Sequence, residues 1–200
     1  MHIRKRILCI GDSNTWGYDP RSYFGSQYPS EVRWTGLLER SGMQVINCGE
    51  NGMTIPGEAH FPILERLIRS RLPADVVTVM LGTNDILEGV ETQKIAERMK
   101  RFLHCVTETA PDAGALLIAP PVLKKGTWVQ SEKQIENSVK LAVLYRDLAD
   151  ETGVDFADAE SWGVELAFDG VHFSPTGHRA FAEGLQRMID SILEKTRDSE

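Results

Sequence analysis

Five short apolar runs punctuate the chain, at about 6–11, 43–48, 75–81, 114–119 and 154–157. Several are unbroken rather than alternating: Val76-Val77-Thr78-Val79-Met80-Leu81 and Ala115-Leu116-Leu117-Ile118-Ala119 contain no charged position. Strands covered on both faces of a parallel sheet read this way, because neither face needs polar side chains. Between and after these runs, apolar residues recur at helical spacing over roughly 33–41, 59–72, 91–110, 132–152 and 175–195. In the last of these, Phe181, Leu185, Met188, Ile189 and Ile192 share one face, with Ser174 set to cap the helix and Pro175 to open its first turn. This alternation of strand and helix predicts an α/β fold, a three-layer α/β/α sandwich around a five-stranded parallel sheet. The whole of 1–200 reads as one domain, with a frayed tail over 194–200. The expected strand order is 2-1-3-4-5. Strands 1 and 3 are then neighbours whose connections leave in opposite directions, and the crevice at their carboxyl ends is where such sheets bind ligands.

The chain sends unusual residues to that crevice. Strand 1 runs into Gly11-Asp12-Ser13-Asn14-Thr15, and strand 3 into Gly82-Thr83-Asn84-Asp85. A serine hydroxyl is a weak nucleophile unless a base stands beside it, usually a histidine oriented by an acid. The chain has five histidines. His2 is terminal, His60 follows strand 2, His104 sits inside a helix beside Cys105, and His178 falls in the first turns of the last helix. Only His172 has a carboxylate at close spacing in a loop, in Asp169-Gly170-Val171-His172. Across a turn, that separation lets the carboxylate reach the near ring nitrogen and leaves the far one for Ser13. The loop lies between strand 5 and the last helix, on the same edge of the sheet. Donors for a developing oxyanion are available in the Ser13 N–H, the Asn84 amide and an N–H of Asn47–Thr54, where Gly49 and Gly52 permit unusual backbone angles. Each residue also has an ordinary use: Ser13 in a turn, His172 in a polar capping loop, Asn84 bonded to its own backbone.

Taken together and in order, Gly11-Asp12-Ser13-Asn14, the Asn47–Gly52 stretch, Gly82-Thr83-Asn84-Asp85 and Asp169-Gly170-Val171-His172 resemble the four blocks of the SGNH, or GDSL-type, hydrolases. The resemblance spans residue 7 to about 178. It implies a flavodoxin-like fold and metal-free ester hydrolysis without a cofactor. It also implies Ser13 as nucleophile, His172 as base with Asp169 as its partner, and an oxyanion hole of Ser13, Gly52 and Asn84. Asp12, Trp16 and Trp128 stand nearby as candidate substrate contacts. Asn14 departs from the leucine of the family's name motif, at a position expected to shade substrate preference. The segments Ile7–Gly17, Val32–Leu38 and Val79–Asp85 resemble most closely the bacterial arylesterase and acyltransferase branch, which favours small acyl groups and often forms homo-oligomers.

Composition removes alternatives more than it adds support. A net charge of −7 argues against nucleic acid or an anionic membrane as partner, since both attract a basic face. Cys9, Cys48 and Cys105 are odd in number and lack metal-ligand spacing, so they read as free thiols in a reducing compartment. Arg4-Lys5-Arg6 precede only four apolar residues, Ile7–Ile10, too few for a secretory signal, and the expected location is the cytoplasm. Receiver domains also place acids after strands 1 and 3, but residues 158–171 lack the lysine they need. Gly52–Ala59 has P-loop glycine spacing but ends Glu58-Ala59 where Lys and Ser/Thr are required. There is neither an H-E-x-x-H zinc motif nor the G-x-S-x-G elbow of the α/β-hydrolases. What stays open beside a short-chain esterase is a thioesterase or lysophospholipase of the same family, or a non-catalytic ester or carbohydrate binder. Loops 17–32 and 120–131 are expected to wall the pocket with Tyr18, Tyr23, Phe24, Tyr28, Trp128 and Pro120-Pro121.

Overall fold

The computed structural model describes residues 4–198. Its five strands are β1 (Arg6–Gly11), β2 (Gln44–Gly49), β3 (Val76–Met80), β4 (Gly114–Ala119) and β5 (Asp155–Asp158). They form one sheet in the order β2-β1-β3-β4-β5, and every neighbouring pair is parallel. The helices are α1 (Ser13–Trp16), α2 (Trp34–Arg40), α3 (Phe61–Arg69), α4 (Thr83–Leu87), α5 (Thr92–Thr109), α6 (Glu132–Thr152) and α7 (Pro175–Asp198). Single 3-10 turns cover Glu58–His60 and Ala159–Trp162.

Strand alternation divides the core in two. Leu8, Ile10, Val77, Val79, Leu117 and Ala119 pack with residues of α3, α5 and α6, among them Leu64, Phe102 and Leu141. Ile7, Cys9, Val76, Met80, Leu116 and Ile118 face the other way, onto Trp34 and Leu38 of α2 and Phe181, Leu185 and Ile189 of α7. Covering both faces explains why the central strands β3 and β4 carry no charged position.

The five strands fall within a residue or so of their sequence positions, whereas α1 and α4 do not stand out in the pattern. Helices of four and five residues show no periodicity, and their ends are set locally. The Asp12 carboxylate accepts the Asn14 N–H at 2.9 Å to start α1, and the turn Glu58–His60 shortens the segment that read as a helix from 59. Ser174 caps α7, its hydroxyl accepting the Gly177 N–H at 3.0 Å. Backbone helix continues through 194–198 where fraying was expected, while Ser199 and Glu200 lie outside the described residues. Among the described residues no helix is long and apolar enough to cross a membrane. Cys9, Cys48 and Cys105 are free thiols, and burial pushes that of Cys9 up to about 12.

Candidate active site

The carboxyl ends of β1 and β3, the loop after β2 and the loop before α7 meet in a cavity of about 160 Å³. Ser13, Tyr18, Asn51, Gly52, Asn84, Leu87, Trp128, Val171 and His172 line it. Ser13 is the first residue of α1, one residue beyond the end of β1, so its N–H belongs to the helix's first turn, whose N–H groups lack partners within the helix. Gly52 has φ +74°, and an added Cβ would meet nothing, so glycine is required there by backbone angle rather than by space. Asn84 lies in the first turn of α4, and its amide donates to the Met53 carbonyl at 2.9 Å. The neighbouring Asp85 is buried, accepting the Ile55 N–H at 3.1 Å and facing Arg98 at 3.4 Å. Two consecutive residues of α4 therefore hold the 53–55 segment in place beside Gly52. Burial raises the Asp85 carboxyl against the pull of the Ile55 N–H and Arg98.

The loop before α7 is folded back on itself. Leu166 and Phe173 form an antiparallel bridge, and the Ala167 N–H donates to the His172 carbonyl at 2.7 Å. One Asp169 oxygen accepts the N–H groups of Val171 and His172, both at 3.0 Å, and the other meets His172 Nδ1 at 2.6 Å. His172 Nε2 lies 3.0 Å from Ser13 Oγ. Burial works to raise the Asp169 carboxyl, but the His172 ring and the two backbone donors outweigh it and hold it below the usual carboxylate range. Gly170 takes φ +82° between Asp169 and Val171, where a Cβ would strike the Lys124 carbonyl. That contact belongs to a second support: Lys124 N–H donates to Gly170 O at 3.0 Å and Trp128 N–H to Asp169 O at 3.1 Å. The β4–α6 loop is thereby pinned to the turn that carries the carboxylate. Tyr18 lies tilted against the His172 ring at 4.5 Å, and Trp128 stands edge-on to it at 6.4 Å.

Ser13, His172 and Asp169 are thus within hydrogen-bond reach in series, with Gly52 and Asn84 in the same cavity wall. A hydroxyl, a base and an orienting carboxylate in that order can carry a nucleophilic acyl transfer. Among the described residues no group of three His, Cys, Asp or Glu side chains could hold a metal ion.

Other expectations need correction. Asp12 is 1% exposed and faces its own helix rather than the cavity, and burial pushes its carboxyl up to about 6. Trp16 is not among the cavity-lining residues, whereas Trp128, 60% exposed, is. Tyr28 is buried against His178, and the exposed Tyr23 and Phe24 pack edge-to-face on each other, so of the expected aromatic walls only Tyr18 and Trp128 line the cavity. Pro120 and Pro121 do not line it either. Asn14 is 3% exposed and bonds to the backbone on either side of His172, so it does not face a substrate. Asn51, Leu87 and Val171 line the cavity without having stood out in the sequence, since nothing in their type or spacing marks them. His60 lines a separate cleft of about 460 Å³ over residues 50–57 and α3, which shares Asn51 and Gly52 with the site. His104 is exposed on α5, and His2 lies outside the described residues.

His178 belongs to the core. It is fully buried, its Nδ1 faces the Trp34 N–H at a long 3.4 Å, and burial drives its pKa down to about 3. The folded value lies below the unfolded one of about 6.5. Its contribution to stability is therefore whole above about pH 6.5 and is lost as pH falls towards 3, by at most about 1.4 kcal/mol per pH unit. Asp12 has the opposite sign, its contribution being lost as pH rises through about 6. The comparison with His178→Gln isolates the histidine, because Asp12 is common to both proteins and glutamine can accept the Trp34 N–H without titrating. Urea titrations between about pH 6 and 4 are expected to show a shallower loss of stability in the variant. Equal slopes in the two proteins would assign the acid sensitivity elsewhere.

Known proteins resemble this chain in sequence and in fold. The profile of the GDSL-like lipase/acylhydrolase family matches residues 9–180. A GDSL lipase of Mycobacterium tuberculosis is 27% identical over 199 residues, covering 94% of this chain and 82% of the lipase. The native M. smegmatis aryl esterase superposes with a TM-score of 0.82 at 30% identity, over 94% of this chain and 99% of that one. A carbohydrate acetylesterase family member from Sinorhizobium meliloti gives 0.80 at 30% identity, over 95% and 99%. With the profile covering most of its length, this chain belongs to the GDSL-like lipase/acylhydrolase family.

Proposed function

We propose that the protein is a serine esterase that cleaves short acyl esters through an acyl-enzyme on Ser13. The observation that carries this reading is the series Ser13 Oγ–His172 Nε2 at 3.0 Å and His172 Nδ1–Asp169 at 2.6 Å. Ser13 Oγ attacks the ester carbonyl while His172 Nε2 takes its proton. The negative carbonyl oxygen is received by the Ser13 and Gly52 N–H groups and by the Asn84 amide N–H left free by Met53. Collapse of this intermediate expels the alcohol, which takes the proton back from His172. Water then enters, gives a proton to His172, and repeats the sequence to release the acid and restore Ser13. An alcohol in place of that water would give acyl transfer instead. Asp169, held as a carboxylate, keeps the Nδ1 proton in place and stabilises the imidazolium at both stages.

The leaving group must lie on the His172 side, beside Tyr18 and Trp128. A flat aryl group or a pyranose ring can rest on those faces, in keeping with the aryl esterase and carbohydrate acetylesterase among the structural relatives. The free thiols suit a reducing compartment, and we assign the protein to the cytoplasm. A fluorophosphonate probe tests the chemistry: covalent attachment at Ser13 is expected, and a protein that binds esters without reacting would remain unlabelled.

A small cavity also predicts a chain-length limit. Each methylene moved into an apolar groove is worth about 0.8 kcal/mol, so a lipase-like groove raises kcat/KM steadily along an ester series. Here kcat/KM is expected to peak between acetate and butyrate and to fall beyond roughly four to six carbons. The measurement is a nitrophenyl ester series from acetate to palmitate, kept below aggregation of the longer members. A maximum at decanoate or beyond would overturn the short-chain reading.

A further inference from the structure

Asn14 sits next to the candidate nucleophile in sequence and next to the candidate base in space. Its side chain is 3% exposed. Asn14 Nδ2 donates to the Val171 carbonyl at 3.1 Å, and Asn14 Oδ1 accepts the Phe173 N–H at 2.9 Å. Val171 and Phe173 are the residues on either side of His172, so one amide grips the backbone before and after the base. Asn14 is itself held at both ends of its peptide unit: its N–H donates to the Asp12 carboxylate at 2.9 Å, and its carbonyl accepts the buried Trp34 indole N–H at 2.8 Å. Trp34 is packed in turn against Phe181 of α7. The side chain therefore has little freedom to follow a moving loop.

We propose that Asn14 is a positioning residue, which ties the His172 loop to the Ser13 helix and fixes the distance across which the proton passes. This rests on the esterase reading above. Ser13 and His172 are 159 residues apart in the chain and reach each other from separate segments. The hydrogen bonds of Asp169 orient His172 within its own loop but do not tie that loop to β1. The two Asn14 bonds make that connection, and they do so from the residue adjoining the nucleophile. A shift of either segment is then shared by the other. The two bonds also fix which end of the amide is oxygen, since a carbonyl faces one end and an N–H the other.

The replacements that isolate this effect are those of the same shape. Leucine has the branching of asparagine and would fill the same space, while leaving the Phe173 N–H and Val171 carbonyl buried without partners. Aspartate keeps the acceptor for Phe173 and sets a second oxygen against the Val171 carbonyl. Because Asn14 does not line the cavity, neither change removes a substrate contact.

With nitrophenyl acetate, Asn14→Leu is expected to lower kcat by roughly 10²-fold, the cost of a small misplacement of a reacting group, with KM little changed. The rate of fluorophosphonate labelling at Ser13 should fall in parallel. Asn14→Asp, with one bond retained, should lie between Asn14→Leu and the unmodified protein, and serves as the test if the leucine variant does not fold. Circular dichroism and thermal unfolding check the fold of each. The discriminating measurement is made in a His172→Ala background. There the residual rate should be unaffected by either Asn14 change, because a residue acting through His172 has nothing left to position. A merely structural role would lower that residual rate as well. Folded Asn14 variants with unchanged kcat, or losses that persist in full without His172, would overturn the proposal. Unchanged activity in Ser13→Ala would instead overturn the esterase reading beneath it, so the two failures are distinguishable.

Discussion

Ser13→Ala is expected to fold and to lose roughly 10⁶-fold in kcat on nitrophenyl acetate, the scale seen when a nucleophile is removed from a working triad. The fold should tolerate the change. Ser13 is small, its hydroxyl meets His172, and α1 is started by the Asp12 carboxylate, which is left in place. The loss of one hydrogen bond costs about 1 kcal/mol, a minor part of a stability of about 5–15 kcal/mol. The chemical consequence is out of proportion to that. Without Oγ no acyl-enzyme can form, and His172 can activate only a water for direct attack. The N–H groups of residue 13 and Gly52 and the Asn84 amide would still stabilise a tetrahedral intermediate, so the residual rate should stay above that in water by about 10³–10⁴. Both readouts are direct: turnover by the purified variant, and its failure to take up a fluorophosphonate. Turnover within tenfold of the unmodified protein would remove Ser13 from the mechanism.

What could be read from the sequence follows from what each signal is made of. Unbroken apolar runs such as Val76–Met80 mark strands because both faces of the sheet are covered, and this holds for any parallel arrangement. Asp169 and His172 could be paired because three residues across a turn bring the two side chains together whatever the rest of the fold does. Asn14 could not be read in the same way. Its two partners lie 157 and 159 residues away, and a motif comparison registers only that its residue type departs from leucine. Composition likewise gives no means of separating Trp128, which lines the cavity, from Tyr28, which is buried against His178, because both lie in aromatic loops. The starts of α1 and α4 depend on one capping carboxylate and one glycine at φ +117°, signals too local for any periodicity.

Asp169→Asn should lower kcat by about 10⁴ while leaving the fold in place, because it changes where a proton sits rather than which side chains are packed. In the native arrangement one carboxylate oxygen accepts the Val171 and His172 N–H groups and the other faces His172 Nδ1 at 2.6 Å. An asparagine of the same shape can keep its carbonyl oxygen on the two backbone donors, so the turn through Gly170 persists. Its NH₂ group must then point at Nδ1. A donor there requires Nδ1 to be the acceptor, which moves the ring proton to Nε2 and directs an N–H at Ser13 Oγ. His172 then cannot take the Ser13 proton, and the stabilising charge beside the imidazolium is absent as well. The effect should fall on kcat, with KM little changed, since Asp169 does not line the cavity. Kinetics with nitrophenyl acetate, accompanied by a thermal unfolding curve close to that of the unmodified protein, check both halves of the expectation. A folded variant within tenfold of the unmodified kcat would mean that His172 is oriented by its backbone and Asn14 alone, and that the carboxylate serves the turn rather than the chemistry.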